Sequence, residues 1–401
     1  MFADDTAIFS ETAKGLQKAI DNLDDYCLKW GITVNVRKTK VVVFRKPCKL
    51  AAGDKWVYRG NEIEIVSVFK YLGCYLSSSG SFSINTKELV KSARRALFAL
   101  KVFFGKYEEL TPSLQLMFFN SMVRPILFYG CEVWGMSKAD PIEVFYREFL
   151  KYVLRVKTST PNIYVYGELG VYPLWIDRQL RVLKYWAKII NPESSKGEFV
   201  KNIYREMYEL SLTNPQVVTW ATTVRDTLKR LDLGIYWENQ TISDDDFFLS
   251  LVRRKLQNSY LTKWTSDVID STDGRLFRCI KTAFRYESYL DNIQNKALRY
   301  ALTRIRLSSH RYKIETGRWG RNKVPREERK CDICNVIEDE FHVLVSCPRF
   351  VNERNNLLPQ CLLQTPNIDV FEHVFDTSDV HVQTQLALLC LNVERAYLNF
   401  V

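Results

Sequence analysis

The sequence is poor in the marks of a secreted or membrane-embedded chain. Asp4 and Asp5 stand where the basic opening of a secretory leader would be, so no leader is expected. The best apolar run, Leu114–Trp134, is interrupted by Asn120 and Arg124, and no uninterrupted stretch reaches membrane-spanning length. Ten cysteines in 401 residues are too sparse for a disulfide scaffold. Five of them (Cys27, Cys48, Cys74, Cys131 and Cys279) are scattered singly through apolar or helical stretches, as reduced thiols of an intracellular protein would be. There is no internal repeat and no low-complexity tract.

With 46% hydrophobic and 13% aromatic residues, wholesale disorder is excluded, and the length suits two or three domains. Lys and Arg exceed Asp and Glu by 11, and the placement of that excess matters more than its size. Between Asn295 and Lys330 twelve basic residues face three acids, a local charge of +9 in 36 residues. So dense a patch favours a polyanion through counterion release. A solvated helix face is the alternative; the interleaved Tyr300, His310, Tyr312 and Trp319 add stacking surfaces and favour nucleic acid. Arg304, Arg306, Arg311, Lys313, Arg318 and Arg321 are the candidate phosphate contacts. Tyr312 and Trp319 are stacking candidates for which a core role is equally open.

Hydrophobic spacing predicts an α+β fold that becomes helical. Residues 1–73 read as α/β: a β-prone run at Thr6–Ser10, then Ala13, Leu16, Ile20, Leu23, Cys27 and Trp30 at helical spacing, ended by Gly31. A strand is expected at Val41–Phe44, and a Gly60-Asn61 turn should join Trp56–Tyr58 to Glu62–Val66 as a hairpin. From about Ile84 the period is helical: Leu89–Phe104, Ser113–Met122 with a break or bend at Pro125, Ile142–Val156, Arg178–Ile190 and finally Val382–Leu398. The segment 191–197 (NPESSKG) is the clearest linker.

Two motifs carry chemistry. Asp4 and Asp5 are adjacent carboxylates at an expected turn, a pairing that suits metal-dependent phosphoryl transfer because cations relieve their repulsion. Asp24-Asp25 and Asp244-Asp245-Asp246 also occur and read as solvated positions. Cys331, Cys334, His342 and Cys347 have the spacing C-x2-C-x7-H-x4-C. Four ligands with no open position describe a structural zinc site, whose ligation would fix a segment too short to fold alone. It would present the basic stretch just upstream to RNA or DNA. Cys361, Cys390, His373 and His381 show no ligand spacing.

The order of motifs resembles the reverse transcriptases of non-LTR, LINE-like retrotransposons. Phe2-Ala3-Asp4-Asp5-Thr6 is followed by the helix ending Tyr26-Cys27-Leu28-Lys29-Trp30, then Val34-Asn35-Val36-Arg37-Lys38-Thr39-Lys40 and Phe69-Lys70-Tyr71-Leu72-Gly73. Tyr129-Gly130-Cys131-Glu132-Val133-Trp134-Gly135, Ser159-Thr160-Pro161-Asn162 and Tyr166-Gly167-Glu168-Leu169-Gly170 continue the series toward the cysteine cluster. The resemblance implies that Asp4 and Asp5 hold Mg²⁺ or Mn²⁺ in an intact palm and that Lys38 contacts the triphosphate or protonates pyrophosphate. It implies that Tyr71, Leu72 and Gly73 grip the primer. From the residues alone, Lys38 is equally a surface lysine, and Phe69–Gly73 a core strand with a glycine turn.

The domains expected from the resemblance are a truncated palm at 1–83, a helical thumb at 84–190, a helical linker region at 191–300, the basic arm and CCHC zinc knuckle at 301–350, and a helical tail at 351–401. A two-metal site needs a third carboxylate from a palm strand ahead of the Asp-Asp turn, and the fingers also lie there. The 401 residues supply neither and are expected to be inactive alone as a polymerase. No restriction-like endonuclease pattern follows Cys347. Three readings stand: the C-terminal part of a retrotransposon RNA-directed DNA polymerase, a non-catalytic RNA- or DNA-binding protein, or a pseudogene product without function.

Overall fold

A computed structural model describes residues 5–45, 51, 54–107, 110–193, 196–214, 216–319, 322–354 and 357–398. The described chain is mostly helical with a few short strands, compatible with an α+β class. It divides into two compact units, Met1–Leu89 and Val90–Val401.

In the first unit, α1 (Ala13–Trp30) starts where the Thr12 side chain accepts from the Gly15 amide and ends where Gly31 adopts φ +66°. Its inner face puts Ile20 against Val41, Trp56, Tyr58 and Ile63. The strands are short. Thr6–Ser10 lies in no strand, and the strand expected over Val41–Phe44 contracts to β1 (Lys40–Val41). β2 (Val57–Tyr58) and β3 (Asn61–Glu62) form the expected hairpin one residue earlier than the Gly60-Asn61 reading. Arg59 (φ +47°) and Gly60 (φ +75°) take the two central positions, since a tight hairpin turn of this hand needs positive φ at both. The residues that follow leave the hairpin: β4 (Glu64–Ile65) pairs in parallel with β1. β5 (Val68–Tyr71) and β6 (Cys74–Ser77) make a second hairpin around Leu72 (φ +45°) and Gly73 (φ +83°).

The helices of seven residues or more that follow are α2 (Ser83–Lys106), α3 (Pro112–Phe118), α4 (Asp140–Leu154), α5 (Asn162–Leu169), α6 (Leu174–Ile190), α7 (Glu198–Thr213), α8 (Trp220–Arg230), α9 (Asp245–Ile269), α10 (Lys296–Arg306), α11 (Ile368–Phe375) and α12 (Val380–Leu398). Pro125 bends rather than ends its helix. It cannot donate to the ladder, and the chain passes through a wider π-helical turn at Phe119–Val123 before resuming at Arg124–Leu127. That turn stacks Phe119 on Phe149 of α4, ring centres 4.3 Å apart. One core is built around α6: Trp186 is wholly buried, donates to Tyr204 Oη at 2.8 Å, and is packed by Val224 and Leu228 of α8 and Phe248 and Val252 of α9. Farther along, α10 packs on α12. No helix among the described residues is long and apolar enough to cross a membrane.

Candidate metal centre and the basic stretch

The cysteine–histidine cluster is assembled by two local turns. The Lys330–Ile337 bridge and the Cys331 amide, which donates to Val336 O at 2.8 Å, close a loop in which Asn335 sits at φ +53°. That loop returns Cys334 to Cys331. The second turn begins where Asp339 Oδ1 accepts from the His342 amide at 2.9 Å, and continues as a π-helical turn over His342–Ser346. In an α-helix, residues five apart diverge around the axis; the wider turn brings them back toward one side. The Cys347 amide accordingly donates to His342 O at 2.7 Å, and both side chains face the first loop. Arg354 completes the turn by donating to the carbonyls of Val343, Leu344 and Cys347.

All four ligand atoms lie within 4.8 Å of one another, and Cys331, His342 and Cys347 are buried. Cys347 Sγ is 3.9 Å from Cys331 Sγ and 4.0 Å from Cys334 Sγ. These are far too long for a disulfide and close to the roughly 3.8 Å that two thiolates span across a tetrahedral zinc ion. His342 Nε2 is buried with no hydrogen-bond partner, a costly arrangement for a polar nitrogen unless an ion receives its lone pair. Burial lowers the His342 pKa, against the opposing pull of Asp339 and Glu338, and keeps the imidazole in the neutral form a metal needs. Burial pushes the Cys347 thiol up to about 12. At Cys331 burial acts the same way, but the amides of Cys334 and Ile333 and the neighbouring thiols outweigh it, and its pKa falls. The four residues could therefore hold a metal ion.

Two buried carboxylates lie in the chain between Cys334 and His342, and neither was flagged by sequence spacing. Glu338 accepts from the Lys313 amide at 2.9 Å and from Tyr397 Oη at 2.6 Å. Glu340 meets His310 Nε2 at 2.9 Å and the Ser308 hydroxyl at 3.3 Å. Burial works against the Glu340 carboxylate, yet His310 and Ser308 hold its pKa below the ordinary value.

The basic stretch differs from its charge count. Arg306 is 2% exposed; it reaches Glu168 Oε1 at 2.6 Å, Phe375 O at 2.6 Å and Glu287 at 3.3 Å. Tyr312 is buried between the rings of His310 and Tyr397. Both are corrections to the nucleic-acid candidate set, because a side chain enclosed on all sides cannot reach a phosphate or stack on a base. Arg304 pairs with Glu394, Lys313 with Asp332, and Arg318 with Asp273 and Glu315. Arg311 is exposed, and Trp319 is 46% exposed with Lys157 Nζ 3.9 Å from its ring centre. Arg321 and Asp4 lie outside the described residues. Asp5 is exposed, and Lys38 is exposed in a turn where its amide donates to Asn35. Tyr71, Leu72 and Gly73 form the tip of the β5–β6 hairpin. Among the described residues no ion pair joins Asp5 to Lys38.

The chain has relatives among proteins of mobile elements. Over 142 residues, 34% of its length, it is 24% identical to the RNA-directed DNA polymerase from mobile element jockey of Drosophila melanogaster. It is 25% identical over 142 residues to the probable RNA-directed DNA polymerase from transposon BS of the same species. Over 148 residues it is 29% identical to a putative uncharacterized transposon-derived protein of Caenorhabditis elegans, covering 49% of that protein. The matches span 15% and 16% of the two polymerases' own lengths. No protein-family model matches the chain, and no solved structure matches it. The chain is thus a relative of the reverse transcriptases of non-LTR, LINE-like mobile elements.

Proposed function

We propose that these residues are the C-terminal part of a retrotransposon RNA-directed DNA polymerase, the part that holds RNA and DNA rather than the part that completes the chemistry. In this reading residues 1–83 belong to the palm, with Asp4 and Asp5 as Mg²⁺ ligands, Lys38 beside the triphosphate and Tyr71, Leu72 and Gly73 at the primer end. Residues 84–190 form a thumb against the template–primer duplex. Cys331, Cys334, His342 and Cys347 hold a structural Zn²⁺. When bound, the ion supplies cross-linking between two turns that have little core of their own, and the chain's part is to orient three thiolates and one imidazole toward it.

The observation that carries this reading is the convergence of four zinc-type ligands, with an orphaned His342 Nε2, in a chain whose relatives are named RNA-directed DNA polymerases. Two-metal phosphoryl transfer needs carboxylates from more than one strand, and the 401 residues are proposed not to extend a primer by themselves. The test is a pair of assays on the full chain: binding of a template–primer duplex and of single-stranded RNA across a salt series, and primer extension with Mg²⁺. Salt-sensitive binding without extension is expected. Absence of binding would overturn the reading, and template-dependent synthesis would overturn its inactive half. Asp5 and Lys38, both exposed and not paired with each other, favour a second reading, a non-catalytic nucleic-acid-binding protein; binding that persists in a chain with Asp4 and Asp5 changed to Asn fits both, and restoration of synthesis by an added palm separates them.

A further inference from the structure

Cations without an acidic partner gather mostly outside the 295–330 stretch. Among the described residues no ion pair is made by Lys101, Arg147, Lys151, Arg155, Lys157 or Arg311. They come from α2, from α4 and the loop that follows it, and from the loop after α10, and aromatic rings lie against three of them. Lys101 Nζ lies 4.2 Å and the Arg155 guanidinium 4.5 Å from the ring centre of Tyr152. The same guanidinium is 5.8 Å from Tyr300, and Lys157 sits over Trp319 while donating to His310 O at 2.5 Å.

The nearest acids do not relieve this crowding, because each is engaged elsewhere. Glu148 pairs with Arg94 at 2.9 Å, Glu315 with Arg318 and Glu394 with Arg304. Partial burial first, and Arg155 and Arg94 after it, lower the Lys101 pKa. Burial, with Arg311 and Arg304 opposing Glu315, brings Lys157 to about 8. The dipole at the end of α4 favours Lys151 and Arg155; it does not explain Lys101 or Arg311, which arrive from other elements.

We propose that this ridge binds the sugar–phosphate backbone of a nucleic-acid strand, with Lys101, Arg155 and Lys157 at phosphates and Tyr152, Tyr300 and Trp319 as the flat surfaces between them. The proposal rests on the nucleic-acid reading above and takes its phosphate contacts from outside the stretch with the highest charge count, which supplies the rings of Tyr300 and Trp319. Interleaved cations and rings are the chemistry of a single-strand platform, and the alternative polyanion, an acidic membrane, becomes an outcome of the test.

The test uses the full chain, a fluorescent RNA oligonucleotide and a salt series from about 50 to 200 mM. The triple change Lys101→Gln, Arg155→Gln, Lys157→Gln should make the slope of log affinity against log salt shallower by about two and weaken binding roughly tenfold or more. The swap Lys101→Arg, Arg155→Lys, Lys157→Arg should keep the slope. So should a control that removes the same charge from exposed positions within 191–300, Lys229→Gln, Arg254→Gln, Lys263→Gln, with far-ultraviolet circular dichroism showing all variants folded. If the ridge variant keeps the wild-type slope, or the control loses as much, the ridge is overturned while the wider reading stands. If the wild-type chain does not bind the oligonucleotide, both fall, and binding to phosphatidylserine vesicles would identify the ridge as a membrane surface instead.

Discussion

Arg306 and the Cys331–Cys347 cluster are both buried and polar, and they are finished differently. At Arg306 the guanidinium meets Glu168, Glu287 and the Phe375 carbonyl, while Tyr289 Oη donates to Glu168 at 2.8 Å and Lys281 pairs with Glu287. Each polar group there has its partner in the chain. At the cysteines the donor atoms converge on one another, and His342 Nε2 has no partner. A polar cluster complete in itself fixes structure; one whose lone pairs converge on a shared point could hold an ion. Sequence charge alone gives Arg306 to a ligand as well, and only its buried partners remove it.

That contrast can be broken most forcefully at the cysteines. Structural zinc contributes on the order of 10–16 kcal/mol of apparent binding free energy in small zinc units. Chelation, or Cys331→Ser, should therefore release residues 331–347 to protease while the α6–α9 core keeps its helical signal. Unchanged protection with no bound zinc in the purified chain would contradict it. At Arg306 chelation should change nothing, but Arg306→Met should cost about 3–5 kcal/mol in denaturant unfolding by leaving Glu168 buried and unpaired. The double change Arg306→Met, Glu168→Leu should recover much of that loss.

A smaller effect sharpens how the Arg306 network is held. Gly170 has φ +58°, and a Cβ there would lie 2.3 Å from the Tyr286 amide nitrogen. This approach lets the Glu287 amide donate to Glu168 O at 3.1 Å. Gly170→Ala should destabilise by about 1–3 kcal/mol, and hydrogen exchange should rise first at 285–289.

The smallest expected contrast is between lysines. Lys281 is buried against Glu287, whereas Lys157 reaches only a carbonyl and an indole face. Its folded pKa, about 8, lies below the ordinary 10.5, so the unfolded chain binds more protons between those values. Stability should rise as pH goes from about 8 toward 10.5, and Lys157→Gln should flatten that limb relative to wild type. Parallel pH profiles for wild type and variant would refute it.

Local patterns were legible and distant partnerships were not. The α1 face, the Pro125 bend and the convergence of Cys331, Cys334, His342 and Cys347 follow from spacings of a few residues, which chain geometry translates directly into neighbours. The fate of the basic stretch could not be read that way: Arg306 meets an acid 138 residues earlier, and Arg304 one 90 residues later. Counting charges treats each as solvated, and only tertiary packing decides which are neutralised. The strands of the first unit fall between these cases. The β2–β3 hairpin was legible from Gly60, one residue from its observed turn, but the parallel pairing of β1 with β4 joins segments 24 residues apart.

Tyr397 has a consequence for the order of assembly. Its hydroxyl donates to Glu338 and its ring flanks Tyr312, so α12 packs against a segment whose cysteine and histidine ligands are synthesised some fifty to sixty-six residues earlier. A nascent chain therefore exposes its thiols before the helix that packs against their segment exists. The surroundings of the four ligands are complete only when α12 docks on α10.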